Sequence, residues 1–111
     1  MTIYITQGRY PREAVQGMVA NPEDRAVPVA ALAKAAGGKL IEYYVTYGEY
    51  DFLVIIESGK SETDMLGALM AAAATGGVTD LKTTVAMTSK QAIKGMKAAK
   101  KLQKGFKAAG Q

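Results

Sequence analysis

Residues 47–57 read YGEYDFLVIIE. Its last part is a strand, Tyr50 to Glu57, in which Phe52, Val54 and Ile56 alternate with Leu53 and Ile55. Both faces are therefore apolar, whereas a strand buried on one side only would alternate with polar residues. Ahead of it, Gly48–Glu49 places glycine in the first central position of a two-residue type II′ turn, which predicts a hairpin with an earlier strand over Lys39–Tyr47. An acid, Asp51, stands at the threshold of the strand, one step past that turn.

TIYIT at residues 2–6 alternates β-branched and aromatic residues and predicts a first strand that Gly8 ends. Pro11 suits the first turn of a helix whose Val15, Met18 and Val19 share a face. Asn21 is positioned to cap a second helical piece with Pro22 at its first position, followed by Arg25, Val29, Leu32 and Ala36 at helical spacing. Pro28 inside that piece predicts a kink or local break, and Gly37–Gly38 predicts its stop. On the far side of the hairpin, Ser61 with Asp64 caps a helix carrying Met65, Leu66, Leu69, Met70 and Ala73, ended by Gly76–Gly77. Val78–Met87 alternates as a last strand, with Leu81, Val85 and Met87 opposite Asp80, Lys82 and Thr84.

Strand, helix, strand, strand, helix, strand is the βαββαβ order of an α+β, ferredoxin-like fold: an antiparallel four-stranded sheet with helices on one face. The apolar second face of the third strand then asks for a cover, and a second subunit is the expected one. About 800 Å² per partner is standard for such an interface.

The chain of 111 residues fits one domain, placed here at residues 1–88, with a basic tail at 89–111. With no cysteine and no histidine, a disulfide scaffold, a thiolate zinc site and a histidine-ligated haem are excluded. Scattered Asp and Glu show no metal-ligand spacing, so no metal and no cofactor is expected. GGK at 37–39 and TGG at 75–77 follow helices rather than open them, unlike phosphate loops. The N-terminus lacks a secretory pattern and no apolar run is long enough to span a bilayer, so a cytoplasmic protein is expected.

With the hairpin in hand, YGEYD is recognisable. Together with TIYITQGRY, GGKLIEYYVTYGEYDFLVIIE and LKTTVAM, it resembles the GYD family, small bacterial proteins whose glycine–tyrosine–aspartate signature falls here on Gly48, Tyr50 and Asp51. The resemblance covers roughly residues 2 to 88. It implies membership of the dimeric α/β-barrel group, in which two ferredoxin-like subunits pack sheet against sheet, and it implies no particular activity.

Asp51 has two readings: it accepts hydrogen bonds from turn amides or pairs with Arg9 or Arg12, or it lies at a cavity mouth as a catalytic base or ligand anchor. Tyr4, Tyr44, Tyr50 and Arg9 are the candidate ligand-binding residues; by simple alternation Tyr4 and Tyr44 face one way, and phenols with apolar neighbours suit a flat organic ligand. Three functions follow. One is a homo-oligomeric small-molecule-binding or structural protein. Another is a dimeric-barrel enzyme acting on an aromatic or flat metabolite, with Asp51 as base. The last is an adaptor that meets an anionic surface through its tail.

The tail separates itself by charge. Residues 1–89 hold seven Lys or Arg against all ten acids, a balance of −3, while residues 90–111 hold seven lysines and no acid, giving +7 and the overall +4. As a helix capped by Ser89, it gathers Ala92, Met96, Ala99, Leu102 and Phe106 on one side and all the lysines within an arc of roughly 140° on the other. Lacking arginine and holding one aromatic, it is poorly supplied for nucleic acid. Packing on its own or a neighbouring subunit, or weak binding to an anionic surface, are the readings that stay open.

Overall fold

The structure, a computed structural model, describes residues 1–111. In chain order the elements are β1 (Thr2–Arg9), α1 (Arg12–Ala20), α2 (Ala26–Ala35), β2 (Gly38–Val45), β3 (Phe52–Ser58), α3 (Glu62–Ala74), β4 (Thr79–Ala86) and α4 (Ser89–Leu102), closed by one 3-10 turn at Gln103–Gly105. The fold is α+β, with one antiparallel four-stranded sheet in the order β2-β3-β1-β4. No helix is long and apolar enough to cross a membrane.

The two inner strands set the two faces. Tyr4 pairs with Ile56 and Thr6 with Val54, so these residues, with Gly8 and Phe52, share the face that α2 and α3 overlie. Tyr4, Thr6, Phe52 and Val54 are buried there. Ile3, Ile5, Leu53 and Ile55 occupy the other face, where no element covers them and each is only half-buried. Burial is sparse throughout: 8 of 111 residues are buried and no large side chain is fully enclosed. A chain of this length has material for a larger core than that.

Several elements differ from the sequence reading. β1 runs through Gly8 to Arg9 instead of ending there, because Gly8 makes room for a ring: a Cβ at this position would lie 2.5 Å from Phe52 Cζ. Asn21 ends α1 as its C-cap and does not open the next helix. α2 starts at Ala26, so Pro28 falls in its first turn and causes no kink. Amides of the first turn have no intrahelical partner, and a missing one there costs nothing. The Asp24 carboxylate accepts the Ala26 amide at 2.9 Å and organises this start.

The hairpin is also longer than a two-residue turn. Val45 pairs with Phe52, and the Thr46 amide donates to the Asp51 carbonyl at 2.8 Å, leaving residues 47–50 as the loop. The Thr46 hydroxyl donates to the Tyr50 carbonyl at 2.7 Å, which closes the loop from within. Gly48 sits at φ +112, a conformation that side chains resist. Helix stops at Gly37 and Gly76 and the Ser61 cap on α3 fall where the sequence puts them.

α4 departs from the body. Thr88, not Ser89, is its cap, in a complete capping box with Gln91. Its one extensive neighbour is the 3-10 turn that continues it. Phe106 lies beyond that turn in extended conformation and is not part of the helical stripe. A compact chain of this length has a radius of gyration of about 13 Å; this one has 18.0 Å and a long axis of 60 Å.

Candidate functional site

Between the covered sheet face and the helices α2 and α3 lies a cavity of about 420 Å³, within the range of small-molecule sites. Its lining is mostly apolar: Val29 and Leu32 from α2, Met65 and Leu69 from α3, and Val54 and Ile56 from β3 are representative. Arg25 stands at one end of α2 and Ala36 at the other, and both line the cavity, so it runs the length of that helix, about 16 Å.

Its polar lining sorts into groups that are occupied and groups that are free. Thr6 and Thr83 share a hydroxyl–hydroxyl bond of 2.8 Å. Ser58 Oγ accepts the Lys60 amide at 3.0 Å, and Thr75 Oγ1 donates to the Ala72 carbonyl at 2.6 Å. Arg25, the one charged lining residue, has only a 3.4 Å surface contact with Glu23 and so keeps most of its five donors. Tyr43 and the proton of the Ser58 hydroxyl are the other lining groups with capacity left.

Tyr43 belongs to an aromatic cluster. Its hydroxyl is hydrogen-bonded to that of Tyr10, and Phe52 lies against both rings, 5.8 Å from Tyr43 in a stacked arrangement and 5.1 Å from Tyr10. Burial is the main cause that holds both phenols above the ordinary tyrosine value. The bond to Tyr10 pushes Tyr43 further up, while Arg25 pulls it back. For Tyr10 the same bond and Arg25 pull down, and Asp51 and Glu23 push up. Both hydroxyls stay protonated at neutral pH. Such a pair holds two protons and uses one between its members, so when Tyr10 donates, the Tyr43 proton is left for a ligand.

The hairpin signature acts next to this cluster. Asp51 grips the end of β1 at two points: its amide donates to the Gly8 carbonyl at 2.8 Å, and its Oδ2 accepts the Tyr10 amide at 2.9 Å. Arg9 is held over the Tyr50 ring, 5.1 Å from its centroid. Its Nε donates to the Glu49 carbonyl at 2.7 Å, and its Nη1 meets Asp80 at 3.6 Å. Arg9 thus pairs with Asp80, while Asp51 takes a backbone amide. Glu49, Tyr50 and Asp51 together bind the hairpin loop to β1 and so fix where Tyr10 enters the cluster, while Gly48 shapes the loop itself.

The candidate residues from the sequence are placed differently from one another. Asp51, Tyr50 and Arg9 meet at the hairpin, outside the cavity lining. Tyr4 is buried on the covered face, and its hydroxyl has no partner. Tyr44 does not share that face. A bulge at Ile41, between the pairs Leu40–Ile56 and Glu42–Ile55, shifts the alternation. Tyr43 is thereby turned to the covered side, and Tyr44 to the open side at 52% exposure. Arg25 and Tyr10 were not singled out by the sequence; the aromatic Tyr10 one residue past β1 was the available signal.

No group of His, Cys, Asp or Glu in the structure is arranged to hold a metal ion. The GYD domain profile matches residues 4–109, so the match takes in α4 as well as the sheet. The chain belongs to the GYD domain family. No curated protein matches it. Among solved structures it is similar to FFRP-DM1, with 20% identity, a TM-score of 0.47, and coverage of 78% of this chain and 100% of the other. A hypothetical protein from Pyrococcus horikoshii is similar at 19% identity and TM-score 0.47, covering 80% of this chain and 93% of that one. A protein from Agrobacterium tumefaciens is similar at 16% identity and TM-score 0.48, covering 80% and 94%.

Proposed function

We propose that this GYD-family protein is a homodimer, or a higher homo-oligomer, of ferredoxin-like subunits that binds a small molecule in the cavity between its sheet and α2 and α3. Support for the subunit comes from the order β2-β3-β1-β4 with helices over one face. Support for the dimer comes from the bare face, where Ile3, Ile5, Leu53 and Ile55 form an apolar centre among Gln7, Glu57, Lys82 and Thr84. An apolar centre within a polar rim is the composition of a protein interface. Packing two such faces gives a dimeric α/β barrel and supplies the burial that one chain lacks.

The observation that carries the binding function is the distribution of free polar capacity. The cavity is apolar along most of its length, and Arg25 and the Tyr10–Tyr43 hydroxyl pair, which hold more donors than their partners use, are near one another at one end. That suits a ligand with an apolar body and one acceptor or anionic group, placed against Arg25 and the Tyr10–Tyr43 pair. Binding without catalysis is the reading favoured for Asp51, whose carboxylate is engaged by a backbone amide and does not line the cavity.

Native mass spectrometry of protein purified from its own host tests this. A retained small molecule in wild type, lost in Leu69→Trp, which fills the cavity, is the expected result. Wild type that carries nothing, and shows no thermal shift across a panel of aromatic and aliphatic carboxylates, would remove the binding function.

A further inference from the structure

Helix α4 and the residues that follow it have no role in the cavity or in the bare sheet face, yet residues 90–111 hold half of the chain's cationic residues. The apolar stripe of α4 is uncovered: Met96 is 64% exposed and Leu102 73%. Only Met87 and Thr88 separate α4 from β4, and Thr88 is locked in the capping box. The helix therefore starts directly after the strand and does not fold back extensively on its own body, in keeping with the 60 Å long axis of the chain.

We infer that α4 is an exchange arm, which lays its Met96–Leu102 stripe along α3 of a second copy of this chain. α3 has a matching surface. Glu62, Leu66 and Met70 succeed one another at four-residue spacing on one side of the helix, and Leu66 and Met70 are 54% and 62% exposed. The stripe begins with an acid, Glu62, in the first turn.

Charge selects this occupant over a second arm. Pairing two α4 helices would bring five lysines against five, whereas arm on body joins a tail, residues 90–111, of +7 to a body, residues 1–89, of −3. Area sets the context: an arm face about 21 Å long and 10 Å wide falls well below the roughly 800 Å² per partner of a stable interface. The exchange is thus an addition to the sheet-to-sheet contact, made twice in a symmetric dimer. It does not depend on what the cavity holds.

The absence of native cysteine makes the test direct. Full-length Met96→Cys and full-length Met70→Cys chains are mixed, allowed to exchange subunits and oxidised. The expected product is a mixed disulfide dimer, several-fold more abundant than when Lys97→Cys, on the lysine side of α4, replaces Met96→Cys. Its yield should fall several-fold in high salt, as screening weakens the attraction. Equal yields from the two arm positions would overturn the exchange. Flotation of the wild-type chain with phosphatidylglycerol vesicles, in the absence of the Met96–Met70 link, would also overturn it and assign the arm to lipid.

Discussion

The Asp51 carboxylate accepts the amide of Tyr10 at 2.9 Å, joining the residue just after the hairpin loop to the one that follows β1. Tyr10 in turn meets Phe52 and Tyr43, so this bond reaches from the signature to the wall of the cavity. The carboxylate acts here as an acceptor in place of a missing strand partner. Asp51→Ala leaves a part-buried amide unpaired and should cost about 1–3 kcal/mol in a chemical denaturation series. Asp51→Asn keeps an acceptor oxygen and should retain most of the wild-type stability. Equal losses in both would show that the charge, not the acceptor, matters.

Tyr43 and Tyr10 give a prediction in alkali. Both folded-state values lie above the unfolded tyrosine value. Above about pH 10 the unfolded chain loses these protons while the folded chain keeps them, so the folded state binds more protons and stability falls as pH rises. Below that pH the two phenols leave stability unchanged. Unfolding midpoints measured from neutral pH into alkali should decline more steeply for wild type than for Tyr43→Phe. Parallel curves would contradict the buried phenol pair.

Much of the fold was legible in the sequence because local rules and tertiary packing agree there. The two apolar faces of β3, the Ser61 cap and the glycine stops after α2 and α3 each follow from residue type and spacing. The site was less legible for a specific reason. The bulge at Ile41 lies in KLIEYY, with no glycine or proline to mark it, and it exchanges the faces of Tyr43 and Tyr44. One inserted residue therefore moved the cavity tyrosine by one position. Arg25 was hidden likewise, since its importance comes from standing at the start of α2 beside β2 and β3, a contact across the chain.

Gly8 is a packing glycine. A Cβ there would lie 2.5 Å from the Phe52 ring and 2.8 Å from Leu81, and Phe52 is itself held between Tyr10 and Tyr43. Gly8→Ala should destabilise by about 1–3 kcal/mol, the usual cost of overpacking. Because the displaced ring borders the cavity, ligand retention should weaken along with the melting temperature. A neutral substitution would show that the ring has room to move.

Tyr4 carries a buried hydroxyl with no partner. Leaving such a group unpaired costs about 1–3 kcal/mol, so Tyr4→Phe should be neutral or raise the melting temperature, with ligand retention unchanged. Lost retention in this variant would instead place the Tyr4 hydroxyl in the binding site.

The proposed oligomer covers the bare sheet face of each subunit with another copy. Sedimentation velocity of the full-length chain over a dilution series measures that directly. The account predicts twice the 11.7 kDa chain mass or a higher multiple, with Leu53→Asp on the bare face shifting the population toward single chains or unfolding them. A wild-type species of 11.7 kDa that unfolds cooperatively at every concentration would contradict it.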